Sequence, residues 1–180
     1  MEKKKFRISA QMISLLGMLT ALQMVLQYLV AINTPIMRIG FGFVPVAIAA
    51  ILYGPLGALP VGVIADVMGS TLFSTGWYPP LTITAACYAI TFGVLLYNKY
   101  SPGFVRITMA AVIYNFIFSM LLQTYLLTFL TGRGFEVLIS TRSVQACIMF
   151  AIQMVMLPIL VKTSNMLDKQ FHLYGTPSKA

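Results

Sequence analysis

The sequence predicts an all-α integral membrane protein, a bundle of six transmembrane helices with both termini in the cytoplasm. The 180-residue chain is 59% hydrophobic and 9% charged, with a mean hydropathy of +0.87, whereas soluble domains carry about a quarter charged residues. Its apolar stretches approach the roughly 20 residues that a helix needs to cross a bilayer. They lack the strict alternation typical of a membrane β-barrel. The basic residues then set the orientation of the bundle.

Six apolar segments make up one predicted domain over residues 1–180. Prolines and glycines mark the breaks between the segments, and the second of these breaks is the run YGPLG, which begins at Tyr53. The predicted helices cover about 9–32, 38–53, 56–73, 81–97, 104–130 and 144–166.

The basic residues fall mainly on the side that carries both termini. Nine face that side: Lys3, Lys4, Lys5, Arg7, Lys99, Arg106, Lys162, Lys169 and Lys179. Only Arg38, Arg133 and Arg142 face the other side, so the positive-inside rule places the termini in the cytoplasm. The net charge of +8 is therefore explained by the orientation of the protein in the membrane and by attraction to the anionic lipids of the bilayer. Nucleic acid is not an expected partner, because these residues occupy short loops and chain ends.

Arginines and aromatic rings share the predicted outer side. Arg38 and Arg142 lie at outer helix ends, and the loop STGWYPP adds Trp77 and Tyr78. Guanidinium forks grip carboxylates, so this side suits a flat, anionic and polar ligand. Alternatively, the arginines reach lipid phosphates and the rings form an interfacial belt. The lipid interpretation is preferred for Arg133, and the binding interpretation for Arg38 and Trp77.

Asp66 is an acidic residue within an apolar span. It lies eleven residues beyond Pro55, or roughly 16 Å along a helix at about 1.5 Å per residue. An ionised group near the bilayer centre costs about 2.5–3.5 kcal/mol, so it must face the interior and have a partner. Arg38, Thr82 or Thr84 is the expected structural partner. The alternative is a functional partner, a ligand with two adjacent N–H donors. Both interpretations hold if a protein group orients the carboxylate and the carboxylate binds the ligand.

Two further features leave alternatives open. The motif Gly17-x-x-x-Ala21 allows close helix packing in lipid, either inside the bundle or against another membrane protein. Tyr114, Asn115 and Gln123 either hydrogen-bond between helices or line a cavity.

An enzyme has little support in this sequence. The single histidine, His172, lies in a polar tail, and no metal-binding or catalytic motif is visible. No catalytic residue, metal or cofactor is therefore expected. No phosphate-binding loop is visible either, and the interior charge and inverted repeats of ion-driven carriers are not evident. Uptake against a gradient would then depend on partners that hydrolyse ATP.

The run from Asn33 to Phe73 resembles the folate-specific family of substrate-binding (S) components of energy-coupling-factor (ECF) vitamin transporters. The resemblance extends over about residues 15–97 and rests on four motifs: T-P-x-x-R-I, F-x-P, G-P-x-G and G-x-x-A-D-x-x-G. It implies a six-helix protein of the bacterial cell membrane with an outward-facing vitamin site. It also implies a transmembrane coupling subunit and two cytoplasmic ATPases as partners. Helix 1 would contact the coupling subunit through Gly17 and Ala21, where the family usually has alanine at both positions.

Folate, the ligand that this resemblance implies, has a pterin ring with adjacent N–H donors, an aromatic linker and an anionic glutamate tail. We expect a carboxylate to read the pterin edge, aromatic side chains to stack on the rings and arginines to hold the tail. The expected ligand-binding residues are Asn33, Arg38, Asp66, Phe73, Trp77, Tyr78, Thr84, Tyr88, Arg142 and Gln145, with Arg133 as a further candidate for the tail. Two alternatives stay open: an S component for another vitamin, such as pantothenate or a queuosine precursor, and a membrane scaffold subunit without transport activity.

Overall fold

The computed structural model describes residues 10–33, 38–73, 79–97, 104–131 and 135–171. Helical segments dominate these ranges, and two short strands lie between the first and second helices. The elements are α1 (Ala10–Met24), which continues as the π-helix π1 (Val25–Leu29), β1 (Ile32–Asn33), β2 (Arg38–Ile39), α2 (Phe43–Leu72), α3 (Pro79–Leu96), α4 (Phe104–Val112), the π-helix π2 (Ile113–Leu122), α5 (Gln123–Thr131) and α6 (Phe135–Phe171).

Within the described residues, five helical stretches are long and apolar enough to cross a membrane. They are Ala10–Leu29, Phe43–Leu72, Pro79–Leu96, Val105–Leu126 and Ile139–Ser164. Large apolar side chains on these stretches point outward; Met18, for example, is 75% exposed and Val155 is 66% exposed. Such outward faces suit contact with lipid tails, which are themselves apolar. The chain is therefore a multi-span helical membrane protein.

The helix α2 has a sharp kink at Gly54. This residue has φ 71° and ψ −161°, a conformation that glycine adopts without a steric penalty. A Cβ on Gly57 would lie 3.6 Å from the carbonyl oxygen of Ala49, eight residues earlier, whereas a straight helix separates such residues by about 12 Å. The break expected at YGPLG is thus confirmed. It divides α2 into a first arm, residues 43–53, and a second arm, residues 55–72.

The second arm of α2 packs antiparallel against α3, and small residues make this close packing possible. A Cβ on Gly93 would lie 2.3 Å from Cα of Pro55, and one on Gly62 would lie 3.4 Å from Cβ of Ala89. Such close approach of backbones is typical of small residues at helix interfaces in lipid. The core of the bundle surrounds α2, where several alanine and valine side chains are fully buried. The antiparallel register brings the end of α2 to the start of α3.

A short β-ladder joins α1 and α2, and it corrects the predicted boundaries. β1 pairs antiparallel with β2, Ile32 opposite Ile39 and Asn33 opposite Arg38. The predicted start of helix 2 at Arg38 is therefore wrong, as is the predicted end of helix 1 at residue 32. The helices stop at Leu29 and resume at Phe43, because the turn satisfies its backbone groups through the ladder instead of a helix.

The last helix is longer than the apolar pattern indicated. α6 begins at Phe135 and ends at Phe171, whereas the sequence predicted about 144–166. A helix satisfies its own backbone hydrogen bonds whatever its side chains, so its polar ends extend the helix beyond the apolar span. Arg142 and Gln145 consequently lie inside α6, about two and about three turns beyond its start.

Candidate ligand-binding site

Asp66 is held between two neighbouring helices. It lies on the second arm of α2 and is half-buried. Thr82, in the first turn of α3, donates its hydroxyl hydrogen to Asp66 Oδ2 at 2.8 Å. Thr82 is one of the structural partners that the sequence suggested. A carboxylate accepts several hydrogen bonds, so the threonine bond orients Asp66 and is compatible with a ligand at the same group.

Tyr88 connects Asp66 to an aromatic group deeper in the bundle. Its hydroxyl oxygen accepts a hydrogen bond from Gln23 Nε2 at 3.2 Å and is close enough to Asp66 for an electrostatic interaction. The Tyr88 ring meets the Tyr114 ring edge-on, with centroids 5.1 Å apart, and the Phe92 ring with centroids 6.0 Å apart. Phe92 and Tyr114 also contact each other at 5.7 Å. Three rings from α3 and π2 thus form the aromatic interior beside the carboxylate.

A second aromatic pair lies at the end of α2. Tyr28 of π1 stacks on Phe73, with ring centroids 5.2 Å apart and planes 10° from parallel. The Tyr28 ring crosses over Gly69, where a Cβ would lie 2.1 Å from ring carbon Cε2. Its hydroxyl group also reaches the backbone oxygen of Asp66 at 3.5 Å. Phe73, expected to stack on a ligand, therefore already has an aromatic neighbour next to Asp66.

Helix 1 contributes two glutamines to the same region. Gln23 Nε2 lies 3.4 Å from Gln27 Oε1, in addition to its bond to Tyr88. Gln27 packs against Gly42 at the start of α2, where a Cβ would lie 2.7 Å from Gln27 Oε1. The polar end of the site is thus built from α1, π1, α2 and α3.

Arg142 and Gln145 of α6 are half-buried. The Arg142 guanidinium interacts electrostatically with the Tyr114 hydroxyl, which places the charge next to the aromatic interior. Residues three apart lie on one face of a helix, so Gln145 shares the face of Arg142. Among the predicted arginines, Arg142 is the one whose side chain the structure describes. It lies beside the candidate site residues.

The β-ladder brings Asn33 and Arg38 opposite each other in the backbone. Strand β2 also contacts α6, the helix that carries Arg142. Two residues selected separately from the sequence, Asn33 and Arg38, are therefore direct neighbours in the ladder. Their position follows from a short β-ladder that the apolar pattern did not reveal.

Of the remaining predicted site residues, the structure describes one and three lie outside the described ranges. Thr84 is buried and donates its hydroxyl hydrogen to the Leu81 carbonyl at 2.6 Å, which is a bond within its own helix. Trp77, Tyr78 and Arg133 lie outside the described residues.

Sequence reasoning missed Gln23, Gln27 and Tyr28 and left Tyr114 open between two roles. A usable signal existed, because polar side chains inside a membrane span are costly and normally face the interior of a bundle. Gln23 and Gln27 are also four residues apart, the spacing that places them on one helix face.

The small residues Gly17 and Ala21 lie on the outside of the bundle. Both are exposed, and a Cβ placed on Gly17 would have no heavy atom within 4 Å. The described part of the chain therefore does not use this face for internal packing.

These features together define an integral membrane protein with a candidate ligand-binding end, in which a carboxylate, amides, hydroxyls and rings meet between apolar helices. Comparisons with known proteins agree with this class. A family model described as "ECF-type riboflavin transporter, S component" matches residues 7–165. The chain belongs to this family of transporter S components.

Individual relatives and a solved structure narrow the comparison. The chain is 38% identical over 143 residues to the folate transporter FolT of Clostridium novyi (strain NT), covering 79% of this chain and 83% of that protein. It is 28% identical over 153 residues to the folate transporter FolT of Leuconostoc mesenteroides, covering 82% of each. The fold matches a crystal structure of FolT bound with folic acid with a TM-score of 0.80, at 25% identity and over 86% of this chain and 95% of that chain.

Proposed function

We propose that this chain is a folate-binding S component, which captures folate on the extracellular side and delivers it across the membrane with an ATP-driven energising module. One observation carries the ligand assignment: Thr82 orients the Asp66 carboxylate at 2.8 Å, and Tyr28, whose hydroxyl reaches the Asp66 backbone oxygen, stacks on Phe73. The similarity to two folate transporters and to a FolT structure bound with folic acid supports the same ligand.

The chemistry of the site matches the parts of folate. A pterin ring presents an amino group next to a ring N–H, and a carboxylate accepts both as a fork. The aromatic side chains of the site offer flat surfaces to the pterin and to the aromatic linker. Arg142, with Arg38 of the neighbouring ladder, offers cationic forks for the glutamate tail. Thr84, Gln145 and Asn33 remain proposed neutral contacts, with Trp77 and Tyr78 as proposed ring contacts.

Riboflavin is the second candidate, because the matching family model names it. Its ring carries one N–H between two carbonyl groups, and those oxygens would repel a carboxylate that approached the N–H. Its ribityl tail is neutral and gives arginines no carboxylate to bind. Asp66 and Arg142 therefore favour folate over riboflavin.

We also propose six membrane spans, with both termini in the cytoplasm. The kink at Gly54 supports this count, because its non-helical backbone divides α2 into two helical arms. The basic residues give the orientation.

The proposed partners are a transmembrane coupling subunit and two cytoplasmic ATPases. The exposed face of α1 at Gly17 and Ala21 supports a docking role there, because small residues let a partner helix approach closely. The proposal follows from the family, in which S components belong to multi-subunit transporters.

Binding measurements on the purified chain in nanodiscs test the proposal. We expect folic acid to bind and riboflavin and pantothenate to bind far more weakly or not at all. Asp66→Asn should weaken folic acid binding about 10- to 150-fold, because a hydrogen bond to a charged group contributes about 1.5–3 kcal/mol.

Thr71→Val is the matched control, since Thr71 is exposed on the same arm and bonds to its own helix. It should leave the affinity unchanged. Folic acid binding with the same affinity in Asp66→Asn as in the wild type would remove Asp66 from the ligand site. Tight binding of riboflavin without binding of folic acid would identify riboflavin, instead of folate, as the ligand.

A further inference from the structure

We propose that Gln23 is a positioning residue: its amide fixes the direction of the Tyr88 hydroxyl hydrogen, so that Tyr88 donates to a carbonyl acceptor of the bound ligand. The inference rests on the proposed function and deepens it, because it assigns the part of the site that distinguishes a carbonyl from an amino group on a fused ring. Gln23 belongs to helix 1, and Tyr88 to α3.

The orientation of the Gln23 amide is set by its two neighbours. Gln23 Nε2 lies 3.2 Å from Tyr88 Oη and 3.4 Å from Gln27 Oε1. An amide nitrogen carries two hydrogens, and each contact can use one of them. The reversed amide would bring the Gln23 oxygen against the Gln27 oxygen, which is repulsive. Gln27 therefore keeps the nitrogen of Gln23 facing Tyr88.

This orientation determines what Tyr88 can do. Its hydroxyl oxygen accepts from Gln23, so its hydrogen must point away from that bond. Tyr88 Oη also lies 3.8 Å from the place of a Cβ on Gly62, which precedes Asp66 by about one helical turn on α2. The site thus presents a hydroxyl donor next to a carboxylate acceptor. A fused ring with N–H donors next to a carbonyl oxygen, such as the 4-oxo pterin of folic acid, has the complementary pattern.

The orientation has a cost that packing alone does not explain. Gln23 is only 1% exposed, and its Oε1 atom has no hydrogen-bond partner within the described ranges. A buried polar group left without a partner is destabilising, and an apolar side chain of the same size avoids that cost. Buried polar groups without a partner break the rule that such groups are hydrogen-bonded, and exceptions of this kind are typical of functional sites.

A ligand pair that differs around position 4 tests the inference. Folic acid carries a carbonyl group at position 4 and an N–H at position 3, whereas its 4-amino-4-deoxy analogue carries an amino group at position 4 and lacks that N–H. We expect the wild type to prefer folic acid, and we expect Tyr88→Phe and Gln23→Leu each to lower the ratio of the two affinities about 5-fold, as the loss of one hydrogen bond of ordinary strength predicts. The preference that remains comes from Asp66, and the double variant should lower the ratio no more than either single variant.

Thr20→Val is the control on helix 1, since Thr20 donates to the Leu16 carbonyl of its own helix and to no other group among the described residues. It should retain the ratio. Gln23→Met provides a second apolar variant if Gln23→Leu does not fold. A Gln23→Leu protein that binds both ligands more weakly but keeps the wild-type ratio would show a structural role and overturn the inference. Failure of the wild type to bind either ligand would overturn the proposed function together with the inference.

Discussion

Gly69 shows how a single missing methyl group shapes the site. The ring of Tyr28 occupies the space that a Cβ at this position would fill, 2.1 Å from the nearest ring carbon. The ring can therefore reach Phe73 and form a nearly parallel stack. The second glycine of the G-x-x-A-D-x-x-G motif, three residues beyond Asp66, thus leaves the space that the Tyr28 ring needs.

We predict that Gly69→Ala displaces the Tyr28 ring and weakens folic acid binding. The clash involves a rigid ring, and overpacking of this kind costs about 1–3 kcal/mol. The expected loss of affinity is thus about 5- to 150-fold, measured by titration of the purified protein. Gly17→Ala is the matched control, because a Cβ there meets nothing within 4 Å. Equal affinities for the two variants would show that the Tyr28–Phe73 stack does not support the site.

At the scale of elements, π2 and α6 are joined by a buried amide pair. Asn115 Nδ2 donates to Gln153 Oε1 at 2.8 Å and to the Ala111 carbonyl at 2.8 Å. Asn115 is 1% exposed and Gln153 is fully buried. The sequence left Asn115 open between interhelical bonding and lining a cavity, and the structure shows the interhelical bond.

We predict that Gln153→Leu destabilises the protein by about 1 kcal/mol, because buried interhelical hydrogen bonds in membranes are worth about 0.6 to 1.7 kcal/mol. The double variant Asn115→Leu/Gln153→Leu should recover most of this loss, since no polar partner is then left unpaired. Denaturation in detergent mixtures measures both changes. Additive losses in the double variant would contradict a direct coupling between the two amides.

At the scale of the whole molecule, the kink in α2 and the candidate site lie at opposite ends of the bundle. The kink at Gly54 lies at the end of α3, where a Cβ on Gly54 would lie 2.9 Å from the ring of Tyr97. Asp66 and Thr82 lie toward the opposite end, with the Tyr28–Phe73 stack and the β-ladder. The proposed topology assigns that second end to the outside.

We predict that an impermeant maleimide labels Ser74→Cys in intact cells and labels Ser178→Cys only after permeabilisation. The background protein carries Cys87→Ser and Cys147→Ala, which removes both native thiols. The expected pattern follows from the distribution of basic residues. Labelling of Ser178→Cys in intact cells would reverse the proposed orientation.

We predict that Gly17→Trp leaves folic acid binding by the isolated chain unchanged but abolishes uptake by cells. The indole would project from an exposed face of α1, away from the internal packing, and would keep a partner helix at a distance. Radiolabelled folate uptake and binding are measured in parallel. Lys162→Trp, at an exposed position of α6, is a control for the added bulk, and normal uptake by Gly17→Trp would exclude this docking face.

The sequence alone determined that the chain is a helical membrane protein, that it breaks at Gly54, and that Asp66 needs an interior partner. These properties depend on local composition: the apolar length of a segment, the backbone freedom of glycine and the cost of a charge in lipid. Only the tertiary structure decided that Thr82 orients Asp66, that Gln23 reaches Tyr88 and that Tyr28 stacks on Phe73. Each of these contacts joins residues far apart in the chain, so each depends on how neighbouring helices rotate and align, which apolar patterns do not specify.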